Sequence, residues 1–345
     1  MPWVPKKSRS SGKTYYFNTD TGKTSWKKPK QSFMQRETTE RKSETKVANA
    51  YSTMTSNAKV VSRARTKKIR AYNNVIKRES IRFCIGGDMV KIKVLDLACG
   101  RGGDLGKILC HPMVRRYRGV DISDKAVKEA IRRSKQYNQY AAVVDFECID
   151  VTKHDWGKWN VLERDIGSCV SHHLLETRKL NEVYDASSHH FGFINCQYAF
   201  HYFCKTKKMA SHMLKKIHDS LTVGPACFCM TVPNSERIQE AILGMYKIPE
   251  YCKITPGNSW KGNNTFGDPY IFYLEDCVPS VEEYLMPKTE FMALADECGL
   301  INTFYQNAGA FLETRDECNI NIDKNLDWNV TCLYDIYIFA KKSSV

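Results

Sequence analysis

The stretch DLACGRGGD at 96–104 combines carboxylates with a backbone free to turn, which is what a small-molecule site needs. Glycines at 100, 102 and 103 permit a tight turn and admit a ligand where a Cβ would exclude it. Asp121 follows Asp96 by 25 residues at the end of a second apolar stretch, where a carboxylate can accept hydrogen bonds from both hydroxyls of a ribose. Asp150 closes a third apolar stretch, in place to take an adenine amino group. The pair points to an adenosine. A nicotinamide dinucleotide would set its diphosphate on the following helix N-terminus, but Asp104 stands there and would repel it. Asp96 and Asp104 suit a cationic head instead, the ammonium and sulfonium of S-adenosylmethionine.

Those side chains require strands that end along one edge. VKIKVLDLA (90–98), YRGVDI (117–122), AVVDFECID (142–150), FGFINCQ (191–197) and ACFCMTV (226–232) read as buried strands, with helices predicted from about residue 104 and over 124–137. The alternation predicts an α/β fold, a Rossmann-like and mainly parallel sheet with helices on both faces, whose ligands gather at the strand carboxyl ends. In RAYNNVIK (70–77) the spacing predicts another helix, with Ile69, Tyr72 and Ile76 facing inward and Arg70, Asn73 and Lys77 sharing the opposite face. For Arg70 alone, a solvated position is the simpler reading.

With 345 residues, 42% of them hydrophobic, the chain has room for one large domain and a small module. No apolar run approaches the roughly 20 residues of a membrane span, and the first seven residues do not resemble a signal peptide, so an intracellular protein without a membrane partner is expected. Fourteen scattered cysteines without a Cys-x-x-Cys pair predict reduced thiols, neither bridges nor a zinc site. The paired His172–His173 and His189–His190, in a long stretch between Asp150 and Gln197, read as a surface insertion and not as metal ligands.

Of the net charge of +14, residues 1–68 carry +13, with 17 Lys/Arg against 4 Asp/Glu. An acidic partner therefore meets this region first. Residues 31–67 have few large apolar side chains and are expected to form a flexible basic linker, able to touch RNA phosphates. Ahead of it, residues 1–30 hold Trp3, Pro5 and SRSSGKTYYFNTDTGKTSWKKP (8–29), a pattern of three short strands. Alternation puts Tyr16 inward with Trp3 and Pro29, and Tyr15 outward beside Trp26. The segment resembles a WW domain over its whole length, which implies docking of a proline-rich, polyproline-II peptide between Tyr15 and Trp26. Its loop SRSSG resembles the phosphoserine-proline-binding subtype, in which Ser8 and Arg9 would contact the phosphate; a plain polar turn is the other reading.

Residues 68–345 resemble the class I methyltransferases and, among them, the mRNA cap guanine-N7 methyltransferases. The resemblance rests on YNNVIK (72–77), VLDLACGRGGDL (94–105), GVDIS (119–123), CQYAFHY (196–202), TVPN (231–234), FYLEDCV (272–278), EYL (283–285) and LYDIYIF (333–339), in family order. It implies that Lys77, Asp96, Gly100, Gly102, Asp104, Asp121, Asp150, Gln197 and Tyr202 hold the cofactor. It implies also that Asn73, Tyr198, His201, Tyr202, Glu283 and Tyr334 form the cap pocket, with Glu282 as the alternative to Glu283. Val75, where the family often has an aromatic, and GPACF (224–228), without the usual Pro-Gly-Gly turn, depart from the pattern.

Guanine N7 carries a lone pair and no proton, so it can take a methyl directly and no catalytic acid, base or nucleophile is expected. Orientation alone supplies much of such a barrier, on the order of 7–11 kcal/mol in favourable cases. The resulting expectation is transfer of a methyl from S-adenosylmethionine to N7 of the terminal guanosine of GpppN-RNA. Recruitment would run through the WW segment on proline-rich or phospho-Ser-Pro peptides, with the RNA polymerase II C-terminal repeats a candidate, other capping enzymes further partners, and the nucleus the site of action, a viral or cytoplasmic site being the alternative. The alternatives are a phosphopeptide-binding adaptor with an inactive methyltransferase domain, and a same-fold methyltransferase with another substrate.

Overall fold

Short runs rich in Val, Ile and Phe set the strands, and where they lie buried on both faces they form a parallel sheet. In the computed structural model, which describes residues 3–8, 14–18, 24–26, 49, 65–86, 91–140, 142–154, 156, 190–315 and 322–342, the chain divides into two units, Met1–Ala48 and Asn49–Val345. The expected insertion with His172, His173 and His189 lies outside the described residues, as does nearly all of the expected linker.

The first unit contains β1 (Trp3–Lys7), β2 (Thr14–Asn18) and β3 (Thr24–Ser25) in an antiparallel sheet of that order. Tyr15 and Trp26 meet with ring centroids 5.7 Å apart, and Trp26 is 63% exposed. Lys6, opposite Tyr15 in the register, lies over the Phe17 ring at 4.3 Å. The side chains of Trp3 and Pro29, expected against Tyr16, lie outside those described.

The second unit opens with α1 (Lys67–Ile85), which buries Ile69, Tyr72 and Ile76 as the spacing predicts. There follow β4 (Ile92–Leu97), α2 (Leu105–Leu109), β5 (Val114–Asp121), α3 (Asp124–Ser134), β6 (Val143–Cys148), β7 (Phe193–Gln197), α4 (Lys207–Ser220) and β8 (Cys227–Pro233). After α5 (Ser235–Ile242), strands β9 (Cys252–Pro256), β10 (Pro269–Leu274) and β11 (Val278–Tyr284) make a separate antiparallel sheet in the order β11-β10-β9. The chain ends its described part with α6 (Lys288–Glu297), β12 (Leu300–Asn307), α7 (Ala308–Glu313), α8 (Leu326–Cys332) and β13 (Tyr334–Lys341).

The main sheet runs β12-β13-β8-β7-β4-β5-β6. Strands β8, β7, β4, β5 and β6 pair in parallel, whereas β13 enters antiparallel between β8 and β12. This is a doubly wound, Rossmann-like arrangement, and β4 and β7 flank the point where strand order reverses. Leu95, Leu97, Ile194 and Phe228 face Met213 and Leu214 of α4 and Phe291 of α6. Val94, Tyr117 and Phe193 face Ile81 of α1, Ile108 of α2 and Ala130 of α3. That second face changes character along its length: two residues beyond Val94, Phe193 and Tyr117 come Asp96, Asn195 and Gly119. An apolar floor thus carries polar groups only at the carboxyl ends of the strands.

Candidate active site

The turn after β4 runs through the left-handed region three times, at Ala98 (φ 54°), Gly100 (φ 53°) and Gly102 (φ 69°). Gly102 also faces α3, where a Cβ would stand 3.2 Å from the Cβ of Ala130. Gly100 and Ser123 donate their backbone N–H groups to the two oxygens of Asp121, each at 2.8 Å, so this carboxylate is anchored to the turn and keeps a lone pair on each oxygen. Asp150 is held by Thr152 and by Lys153 at 2.8 Å, and these partners outweigh its partial burial to keep its pKa below the ordinary value.

Asp96 is 2% exposed and accepts Tyr117 O–H on Oδ2 at 2.6 Å and Asn195 Nδ2–H on Oδ1 at 2.8 Å. Burial, reinforced by the nearby Asp104 carboxylate, pushes its pKa up to about 7 against these donors. Asp104 is buried as well, yet its pKa falls, because Lys77 of α1 at 2.8 Å and Lys107 of α2 at 3.0 Å overcome the burial. Gln197 sits below the surface, donating to Asn195 Oδ1 at 2.9 Å and accepting from Thr231 at 2.6 Å.

The second half of the site comes from the turn after β7 and from the small sheet. Tyr198 has φ 58°, an unusual conformation for a bulky side chain, of the kind that collects at functional sites. Its ring packs edge-on against Tyr334 with centroids 4.8 Å apart, and burial, then the Asp104 charge, raises its pKa well above the usual phenol range. Glu283 on β11 lies directly opposite Tyr270 on β10 and is 3% exposed. Tyr270 donates to its Oε2 at 2.7 Å and Tyr202 to its Oε1 at 3.0 Å. His201 Nε2 is 3.3 Å from Oε1 without hydrogen-bond alignment. Neighbouring Glu282 accepts instead from Tyr284 at 2.7 Å, away from this cluster.

Of the expected residues of the second unit, Lys77 meets Asp104 beyond β4, Asp121 closes β5 against Gly100, Asp150 follows β6, Gln197 ends β7, Tyr198 meets Tyr334 at the start of β13, and His201 and Tyr202 reach Glu283 of the small sheet. Asn73 Oδ1, the Tyr198 hydroxyl and both His201 nitrogens are buried without hydrogen-bond partners, unusual for native proteins and suited to a polar ligand. With the left-handed turn at Gly100 and Gly102, these groups are candidates for contact with polar ligands. In the first unit Tyr15 and Trp26 meet and Ser8 is half-buried, while Arg9 lies outside the described residues.

Sequence reasoning missed Tyr117 and Asn195, although polar residues at inward positions of otherwise apolar strands were a usable signal. Tyr270 gave none, since its role depends on pairing across β10 and β11. Arg101, within the glycine-rich turn, was also missed. It reaches to 3.8 Å from Glu129 of α3, whose carboxylate also binds Arg132 and Arg133, each at under 3 Å. Three guanidiniums around one carboxylate leave local positive charge beside the turn.

Sheet order and site together define a class I methyltransferase fold. The chain belongs to the mRNA (guanine-N(7))-methyltransferase domain family, whose model matches residues 34–330, and a WW domain model matches residues 2–29. The family is one of S-adenosylmethionine-dependent methyltransferases. An mRNA cap guanine-N(7) methyltransferase of Candida glabrata is 28% identical over 253 residues, covering 68% of this chain and 53% of that relative. The Saccharomyces cerevisiae protein of the same description is 27% identical over 253 residues, covering 68% and 50%. The chain spans about half the length of the curated relatives it matches. Among solved structures, an S-adenosylmethionine-dependent methyltransferase from Clostridium acetobutylicum is similar with TM-score 0.46 and 13% identity, covering 82% of this chain and 95% of that one.

Proposed function

We propose that this chain methylates N7 of the terminal guanosine of 5′-capped RNA. The observation that carries the reading is Glu283. Each of its oxygens accepts one tyrosine hydroxyl, so each retains a lone pair, and two adjacent acceptors match the N1–H and N2–H donors of guanine, a pair adenine lacks. Asn73, Tyr198, His201 and Tyr334 complete the base pocket. Arg101, Arg132 and Arg133 offer cations to the triphosphate.

On the donor side, Asp121 and Asp150 suit the ribose and adenine. Lys77 suits the methionine carboxylate, and Asp96 with Asp104 the cationic end, and Gly100 and Gly102 keep the turn close to the ligand. Gln197 acts through Asn195 and Tyr202 through Glu283. S-adenosylmethionine, when bound, supplies an electrophilic methyl on a sulfonium. The protein's part is to align a nucleophile that needs no deprotonation and to keep the approach free of water, so no acid, base or nucleophilic side chain is assigned.

The first unit would tether the enzyme to proline-rich or phospho-Ser-Pro peptides through Tyr15, Trp26, Ser8 and Arg9. The polymerase C-terminal repeats suit this chemistry, and the nucleus follows as the place of work. A tether raises local substrate concentration without altering the active site.

Incubation with labelled S-adenosylmethionine and GpppA- or GpppG-capped RNA, followed by digestion, is expected to yield labelled 7-methylguanosine. Label on another atom would point to a related substrate, and no label to an adaptor. Phosphorylated Ser-Pro peptides are expected to bind more tightly than plain ones, and Arg9→Ala to remove the difference.

A further inference from the structure

Behind the donor half of the site runs a line of buried polar groups that methyl transfer itself does not use. Thr231 on β8 donates to Gln197 Oε1 at 2.6 Å; Gln197 donates to Asn195 Oδ1 at 2.9 Å; Asn195 donates to Asp96 Oδ1 at 2.8 Å; and Tyr117 on β5 closes on Asp96 Oδ2 at 2.6 Å. The line crosses four adjacent strands, and none of its members is more than 9% exposed.

Its direction is determined by valence. An amide has a donor end and an acceptor end, so Asn195 presents N–H to Asp96 only while its oxygen faces a donor, and Gln197 provides that donor. Gln197 is oriented in turn because Thr231 fills its oxygen. Every link therefore points the same way and ends on a carboxylate, an arrangement that favours the ionised form. The groups opposing or aiding it are near: the Asp104 carboxylate on the turn, Lys77 of α1, Lys107 of α2, and the thiols of Cys99 and Cys196, which burial keeps protonated.

We propose that Tyr117, Asn195, Gln197 and Thr231 are positioning residues that hold Asp96 ready as an anion for a cationic cofactor head, and so link cofactor uptake to pH. The proposal deepens the S-adenosylmethionine reading and rests on it. Burial holds the Asp96 pKa up to about 7, so below that a bound cation must expel a proton; affinity then rises with pH through about 7 and levels off until the cofactor's own ammonium starts to lose its proton at about pH 8. Loss of a donor moves the bend to higher pH.

The test is a calorimetric titration of the full chain with S-adenosylmethionine from pH 5.5 to 9. The wild type is expected to bend near pH 7 with proton release below it. Tyr117→Phe, which removes only a hydroxyl, is expected to shift the bend up by about one unit, weakening binding about fivefold at pH 7, about tenfold at pH 5.5 and little at pH 9. Thr231→Val is expected to shift it less, and Thr231→Ser to restore it. A loss equal at every pH, or a wild-type affinity flat across the range, overturns the proposal. Absence of binding at any pH overturns the cofactor reading itself.

Discussion

Asp96 and Glu283 are both buried carboxylates at the heart of the second unit, and they are held in contrasting ways. Asp96 stands on a parallel strand, takes its hydrogen bonds from neighbouring strands, and faces a second carboxylate, Asp104, whose own charge is met by Lys77 and Lys107. Glu283 stands on a small antiparallel sheet and is held by two tyrosine hydroxyls with His201 alongside. The first arrangement suits recognition of charge and makes ionisation conditional on a partner. The second suits recognition of shape and donor position, because neutral donors fix the carboxylate without consuming its remaining lone pairs. One unit therefore holds one carboxylate among charges and another among neutral hydroxyls.

The sharpest way to break that contrast is Glu283→Gln. An amide cannot accept at both atoms, so affinity for capped RNA is expected to fall on the order of a hundredfold, as for one lost charge-assisted hydrogen bond. S-adenosylmethionine affinity is expected to stay within twofold. Equal losses for both ligands in parallel titrations would show that the halves are not separate. On the other half, Asp121→Asn loses one of the two turn hydrogen bonds together with one acceptor for the ribose. S-adenosylmethionine should bind about tenfold more weakly, with cap-analogue binding unchanged; a cap defect measured by fluorescence titration would contradict the division.

A finer test is Tyr270→Phe. It removes one hydroxyl opposite Glu283 and leaves the ring that packs beneath the pocket. About 1 kcal/mol, or fivefold in kcat/KM for capped RNA, is expected, carried by KM for the RNA. A change in kcat alone would assign Tyr270 to alignment of the methyl transfer and not to holding the base acceptor.

Much of the parallel core was legible because its signals are local. Apolar runs at β4, β5, β7 and β8, each followed by a polar or glycine-rich turn, announce strands and mark their carboxyl ends. Asp96, Asp121 and Asp150 could be placed from that alone. The spacing of Asn73 and Lys77 likewise predicts the face of α1 that meets Asp104. What could not be read locally is set by pairing between distant segments. The meeting of Tyr270 with Glu283 depends on the β10–β11 register, and that of Tyr198 with Tyr334 on a contact across 136 positions of sequence. The antiparallel entry of β13 has the same cause: its alternating apolar pattern says strand but names neither neighbour nor direction. In the first unit, the double tyrosine and the second tryptophan were enough to foresee that Tyr15 and Trp26 would meet.

That placement of β13 orders the assembly of the protein during synthesis. Every residue assigned to the donor half has been made by the time Thr231 leaves the ribosome, whereas the base pocket waits for Tyr270, Glu283 and finally Tyr334. Until β13 slides in beside β8, the nascent chain carries a raw sheet edge there. The contact of Tyr198 with Tyr334 therefore forms only after the parallel core has been made.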